Sequence, residues 1–137
     1  VAYSMLRRGV EEDLLPQAGE LGVGVIAFVP LSQGLLTSKY LEGIPGDSRA
    51  ARPEGTLQEG AVVPEIVDKV RRLNEIAKER GQSMAQMALM WVLRDGRVTS
   101  ALFGASRVEQ IEENVAALEQ AEFSAGELER IEGILAG

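Results

Sequence analysis

Apolar positions along the chain fall into two kinds of spacing, and the two kinds alternate. Val1 to Met5 is a short extended run. Val23 to Phe28 is a continuous apolar stretch with β-branched residues, the pattern of a buried parallel strand, and Thr99 to Phe103 predicts a second one. Between them the period changes to three and four. A helix is expected from about Glu12 to Leu21, with Pro16 near its start, where a missing amide is tolerated, and Gly22 as its stop. Ile66, Val70, Leu73 and Ala77 share one face of a helix that follows Pro64 and stops at Gly81.

Three helix starts carry the signature of a reciprocal cap, a Ser followed three residues later by Gln or Glu. Ser83 and Gln86 open a helix that runs to about Leu93 and is apolar on nearly all sides. Ser106 and Glu109 open one whose inner face is expected to be Val108, Ile111, Val115 and Leu118. Ser124 and Glu127 open a last one carrying Leu128, Ile131 and Leu135. Residues 29–64 read as a loop rich in glycine, proline and small residues. Strands alternating with helices, without hairpin signals, predict an α/β fold with a parallel sheet.

Such a sheet is either doubly wound or a piece of a TIM barrel. Gly22-Val-Gly24 precedes a strand instead of following one, and no third glycine completes a dinucleotide fingerprint. The barrel fits better, because two strand ends run directly into glycine-containing loops suited to anions, where barrels commonly place phosphate.

Composition narrows the chemistry. The 137 residues are enough for one domain, and 45% hydrophobic with 26% charged residues is the balance of a globular chain. Fourteen basic against 21 acidic residues give a net charge of −7, which argues against a nucleic-acid partner. Histidine and cysteine are both absent. That removes a Ser-His-Asp or Cys-His nucleophile, an imidazole base and any thiolate or imidazole metal site, and no carboxylates are arranged for a metal instead. No disulfide framework, signal peptide or membrane span is legible, so the expected location is the cytoplasm. The chain opens on Val1 and reads as a piece of something longer. Glu11-Glu12-Asp13 reads as a solvated helix start, and Trp91 with Met84, Met87 and Met90 as core packing.

Two segments remain. In Phe28-Val-Pro-Leu-Ser-Gln-Gly-Leu-Leu-Thr-Ser-Lys-Tyr40, an aromatic at a strand end offers a flat face to a planar ring, small residues let backbone amides approach a diphosphate, and Lys39 adds charge. Taken alone, it reads sooner as a surface loop with a core phenylalanine. In Gly104-Ala-Ser-Arg-Val-Glu-Gln-Ile-Glu-Glu-Asn114, a helix start offers amides and the positive end of its dipole, with Ser106 and Arg107 suited to a phosphate monoester. Gln110, Glu113 and Asn114 follow at spacings of three and four. Alone, this is equally a capped helix with a solvated polar face.

Together, Val23 to Tyr40, Ser83 to Leu93 and Gly104 to Asn114 resemble the C-terminal half of the aldo-keto reductase family, closest to its bacterial and potassium-channel-β-subunit-like branches. Tyr3-Ser4, Leu14-Leu15-Pro16, Glu20-Leu21-Gly22, Gly46-Asp-Ser-Arg49 and Ala85-Gln86-Met87-Ala88-Leu89 match in order, so the resemblance spans nearly the whole chain. It implies that residues 1–137 are the last three strands and covering helices of a (β/α)8 TIM barrel that binds NADPH and reduces an aldehyde or ketone by hydride transfer. By that resemblance Phe28 stacks on the nicotinamide. Pro30, Leu31, Ser32, Gln33, Gly34 and Lys39 form the diphosphate loop, and Arg49 closes over it. Gly104, Ser106 and Arg107 hold the ribose phosphate that separates NADPH from NADH, while Gln110, Glu113 and Asn114 meet the adenosine end.

The chain departs from the family at Val29, where a serine is usual, and at Ser32 and Ser38, where glycine or alanine is common. The family's catalytic aspartate, tyrosine, lysine and histidine belong to strands this chain does not contain, so no catalytic residue is assigned within it. Tyr3 and Tyr40 do not substitute, since one lies on a different strand and the other in the cofactor loop. A half-barrel leaves sheet edges and an apolar interior uncovered, which implies self-association or pairing with an N-terminal half. The alternative is a non-catalytic module that binds a nucleotide or oligomerises.

Overall fold

The computed structural model describes residues 1–37 and 64–137. After the N-terminal run, a 3-10 turn at Gly9–Glu11 leads into α1, Leu14–Leu21, and β1 follows at Ile26–Phe28. From residue 64 onward come α2 (Pro64–Glu79), α3 (Met84–Leu93), β2 (Ser100–Leu102), α4 (Val108–Ala116), a 3-10 turn at Ala117–Gln120 and α5 (Ala125–Ala136).

β1 sits centrally. It pairs in parallel with β2 in the register Ile26↔Ser100, Ala27↔Ala101, Phe28↔Leu102. On its other side Phe28 donates to the Val1 carbonyl at 2.8 Å and accepts from Tyr3 at 3.3 Å, a parallel bridge to the N-terminal run. The three extended segments are therefore neighbours in chain order, as sequential parallel segments usually are. Both strands are shorter than their apolar runs. At one end a side chain takes over the ladder: Val25 N–H donates to Thr99 Oγ1 at 3.0 Å. That contact also explains Gly24, since a Cβ there would stand 3.0 Å from the same hydroxyl.

Helix boundaries follow local chemistry. α1 starts two residues later than the sequence suggests, leaving Pro16 in its first turn, and it stops at Gly22, whose φ of 67° lets its N–H reach back to Ala18 and Gly19. Both Ser83–Gln86 and Ser124–Glu127 form complete capping boxes. α2 buries Val70, Leu73, Ile76 and Ala77, close to the expected face. α3 is buried all round, with Met84, Met87, Met90 and Trp91 in the core as anticipated.

Two arginine clusters tie the helices together, one buried and one partly exposed. The Arg80 side chain is 1% exposed and carries no solvent-facing nitrogen to spare. Nε donates to Gln82, Nη2 to the Gln120 carbonyl, and Nη1 to the Glu122 carbonyl and Glu127, while the guanidinium stacks 3.9 Å from the Phe123 ring centre. The second cluster surrounds Trp91, with Arg94 at 3.7 Å and Arg8 at 5.2 Å from its ring centre. Arg8 pairs there with Glu11 and Glu132, so Glu11 is an ion-pair partner and not only a solvated helix-start charge.

One expectation fails instructively. Val108, Ile111, Val115 and Leu118 are all exposed, and on α4 the buried residue is Asn114. The apolar stripe is real, but no described element packs against it. The sheet behaves likewise: Ala27 is buried toward the helices, while Ile26, Phe28 and Leu102 on the other face are open. The continuous apolar runs suit strands covered on both faces, and this chain covers one.

Candidate functional site

The Phe28↔Leu102 register pair ends both strands at the same edge, so the loops that follow leave the sheet side by side. Neighbouring strands lie about 4.8 Å apart. This is the arrangement in which two loops can share one ligand.

The first loop is wound tightly. Val29, Ser32 and Gln33 take φ of 52°, 48° and 57°, followed by Gly34 at 99°. A β-branched residue in the left-handed region is costly and persists only where its surroundings over-determine it. Here they do. Ser32 donates to the Val29 carbonyl at 3.0 Å, Gly34 and Leu36 both donate to Leu31, and Thr37 Oγ1 donates to Gly34 at 2.6 Å. Pro30 and Leu36 are buried beneath. Ser32 is also tied to the buried Ser4 hydroxyl at 2.8 Å. The sequence marks Ser4 only within the Tyr3-Ser4 match to the family and assigns it no contact. Phe28 is half-exposed at the strand end, with Leu31, Ser32, Gln33 and Gly34 partly exposed beyond it. Lys39 and Arg49, together with Ser38 and Tyr40, lie outside the described residues.

The second loop differs from expectation at the helix start. α4 begins at Val108 with Arg107 in the cap position, and Ser106 does not cap with Glu109. Gln110 does the capping, because its longer amide reaches back to the loop: Oε1 accepts from Ser106 N–H at 2.8 Å and from Arg107 N–H at 3.2 Å. The Ser106 hydroxyl joins the same oxygen at 3.3 Å. Gln110 is thus folded onto the helix start and does not line up with Glu113 and Asn114. Gly104, Ser106 and Arg107 are exposed, and the Arg107 guanidinium has no ion pair among the described residues.

Asn114 is the most informative position. It is 7% exposed, yet among the described residues its side-chain amide has no hydrogen-bond partner. Buried amides are nearly always satisfied, so this one stands out among the polar groups of α4, about two turns along the helix from Arg107. No group of His, Cys, Asp or Glu among the described residues could hold a metal. No described helix is long and apolar enough to cross a membrane.

The aldo/keto reductase family model matches residues 1–136. The chain belongs to the aldo/keto reductase family. It is 53% identical over 137 residues to L-glyceraldehyde 3-phosphate reductase of Escherichia coli K12, covering 96% of this chain and 39% of that protein. It is 40% identical over 121 residues to a putative voltage-gated potassium channel subunit beta of Schizosaccharomyces pombe, covering 85% of this chain and 35% of the other. Among solved structures, glycerol dehydrogenase from Gluconobacter oxydans superposes with a TM-score of 0.79 at 26% identity, over 98% of this chain and 41% of that one. The chain therefore spans about two-fifths of the length of these relatives, and its fold is the C-terminal part of an aldo/keto reductase (β/α)8 barrel.

Proposed function

We propose that this chain is the cofactor-binding part of an NADPH-dependent reductase of small aldehydes or ketones. The carrying observation is the Phe28↔Leu102 register, which sets two anion-suited loops at one sheet edge. When bound, NADPH supplies the hydride that adds to the carbonyl carbon. The residues present fit it. Phe28 offers its half-exposed ring to the nicotinamide, and the wound loop from Pro30 to Gly34 presents backbone toward the diphosphate. Lys39 and Arg49 add charge to that loop. Gly104, Ser106 and Arg107 hold the 2′-phosphate at the start of α4, and the open amide of Asn114 takes the adenine edge with Glu113 beside it. The Ser106 and Arg107 amides, which here donate to Gln110, are the ones that would hold a phosphate oxygen in its place.

On this reading the proton donor and its relay come from a segment outside residues 1–137, since this chain contains no histidine. The bare apolar faces are where that segment docks. The phosphorylated three-carbon aldehyde named for the Escherichia coli relative is the first substrate to test. Titration with NADPH, followed by nicotinamide fluorescence, is expected to saturate with the chain co-expressed beside the N-terminal part of that relative. Arg107→Ala is expected to erase most of the preference for NADPH over NADH. An unchanged preference would overturn the phosphate assignment. Saturable binding without carbonyl reduction would favour a nucleotide-binding module instead.

A further inference from the structure

Gln86 lies outside the two loops, on α3, yet it touches α4 at the residues assigned to adenosine. Its Oε1 accepts the Ser83 N–H at 2.9 Å while Ser83 Oγ accepts the Gln86 N–H at 3.1 Å. Because the carbonyl end of the amide is committed to the cap, the remaining end is the NH2 group. That group donates to the Glu113 main-chain carbonyl at 2.7 Å. Glu113 lies in the last turn of α4, just before the 3-10 turn at Ala117–Gln120. A carbonyl oxygen has two lone pairs, so this one can take the Gln86 amide in addition to any bond within the helix.

This contact holds α4 at its last turn, and Arg80 and Gln82 hold the turn that follows separately, through the Gln120 carbonyl. A helix pinned at one end can still roll, and rolling moves Asn114 and Arg107 relative to the sheet edge. Pinned at two heights, it cannot. We propose that Gln86 is a positioning residue for nucleotide recognition, holding α4 in the rotation where Asn114 and Arg107 reach one ligand. The proposal rests on the nucleotide reading of α4.

Two substitutions separate this role from mere capping of α3. Gln86→Glu keeps the acceptor for Ser83, since a Ser with Glu three residues on is itself a capping box, but a carboxylate cannot donate to Glu113. Ser83→Ala removes the cap hydroxyl and leaves the Gln86–Glu113 contact in place. Joined to the N-terminal part of the Escherichia coli relative, Gln86→Glu is expected to raise the KM for NADPH about fivefold to tenfold, one hydrogen bond's worth, with kcat at saturating NADPH unchanged. Ser83→Ala is expected to lower the melting temperature and leave that KM alone. Amide hydrogen exchange on the chain itself is a ligand-free readout: α4 amides exchange faster in Gln86→Glu while α3 amides keep the parent's rates. Equal KM effects from both substitutions, or unchanged α4 exchange in Gln86→Glu, would overturn the proposal. If the parent binds NADPH and Arg107→Ala weakens it while Gln86→Glu does not, the positioning role alone has failed. If the parent binds no NADPH, the nucleotide reading has failed and takes this one with it.

Discussion

Phe28 and Leu102 stand opposite each other as the last register pair of the two strands, and both project from the sheet face that no described helix covers. With Ile26 beside them and the α4 stripe of Val108, Ile111, Val115 and Leu118, the chain exposes two apolar surfaces. Contiguous apolar patches of this kind normally mark an interface.

The chain alone is therefore expected to self-associate. In size-exclusion chromatography with light scattering, Ile111→Lys combined with Val115→Glu should shift it toward monomer. These side chains are already in water, so the double variant should unfold within about 0.5 kcal/mol of the parent. A parent that runs as a clean monomer at high concentration would contradict this expectation.

Asn114 gives a prediction in which stability and binding part company. Its buried amide finds no partner in the described chain, so removing it relieves a desolvation cost of about 1–3 kcal/mol. Asn114→Leu is expected to leave the ligand-free chain equally stable or more so in urea, while NADPH binding weakens about tenfold or more. Loss of stability and binding together would instead make Asn114 a structural residue.

The strand–helix order, the α2 face, two capping boxes and the two loops were legible because each depends on neighbours in sequence. What sequence could not locate depended on partners far along the chain or outside it. Gln110 displaced Glu109 at the α4 cap because the start of the helix shifted by a residue, which changed which side chain stood three positions on. The α4 stripe reads as core by periodicity alone, and periodicity cannot say whether the matching surface is on the same chain. Ser4 reaching Ser32 and Gln86 reaching Glu113 are long-range contacts of ordinary polar residues, with no local pattern to flag them.

Arg80 should be the most costly charged residue to remove. Its side chain is almost wholly buried, and it holds Gln82, Glu127 and two main-chain carbonyls together. Arg80→Met removes a buried guanidinium's donors and its stacking on Phe123, while Gln120 and Glu127 keep their bonds to Gln82 and Ser124, a loss of about 1–3 kcal/mol. Arg130→Ala breaks an ion pair with Glu79 in which both side chains are more than half exposed, and it is expected to leave the urea midpoint unchanged. Equal effects from the two would mean that burial does not set their worth.

Arg8 links stability to pH. Its guanidinium binds Glu11 at 2.6 and 2.9 Å and Glu132 at 3.0 and 2.6 Å. Those hydrogen bonds hold both carboxyls below the ordinary carboxylate range. A carboxyl with a depressed folded-state pKa contributes its full stabilisation above its unfolded value, about 4.3 for Glu, and loses it as pH falls through the folded value. Urea midpoints followed through Trp91, the chain's one tryptophan, should therefore be flat near neutrality and fall below about pH 4.5. Arg8→Ala is expected to cost about 1–2 kcal/mol at pH 7, discounted because Glu132 is half exposed, and to shrink the acid decline. At pH 3 the variant and the parent should lie closer together, because protonation has already cost the parent what the substitution removes. A gap that stays constant from pH 7 to pH 3 would place the effect of Arg8 in its packing over Trp91 and not in its charge.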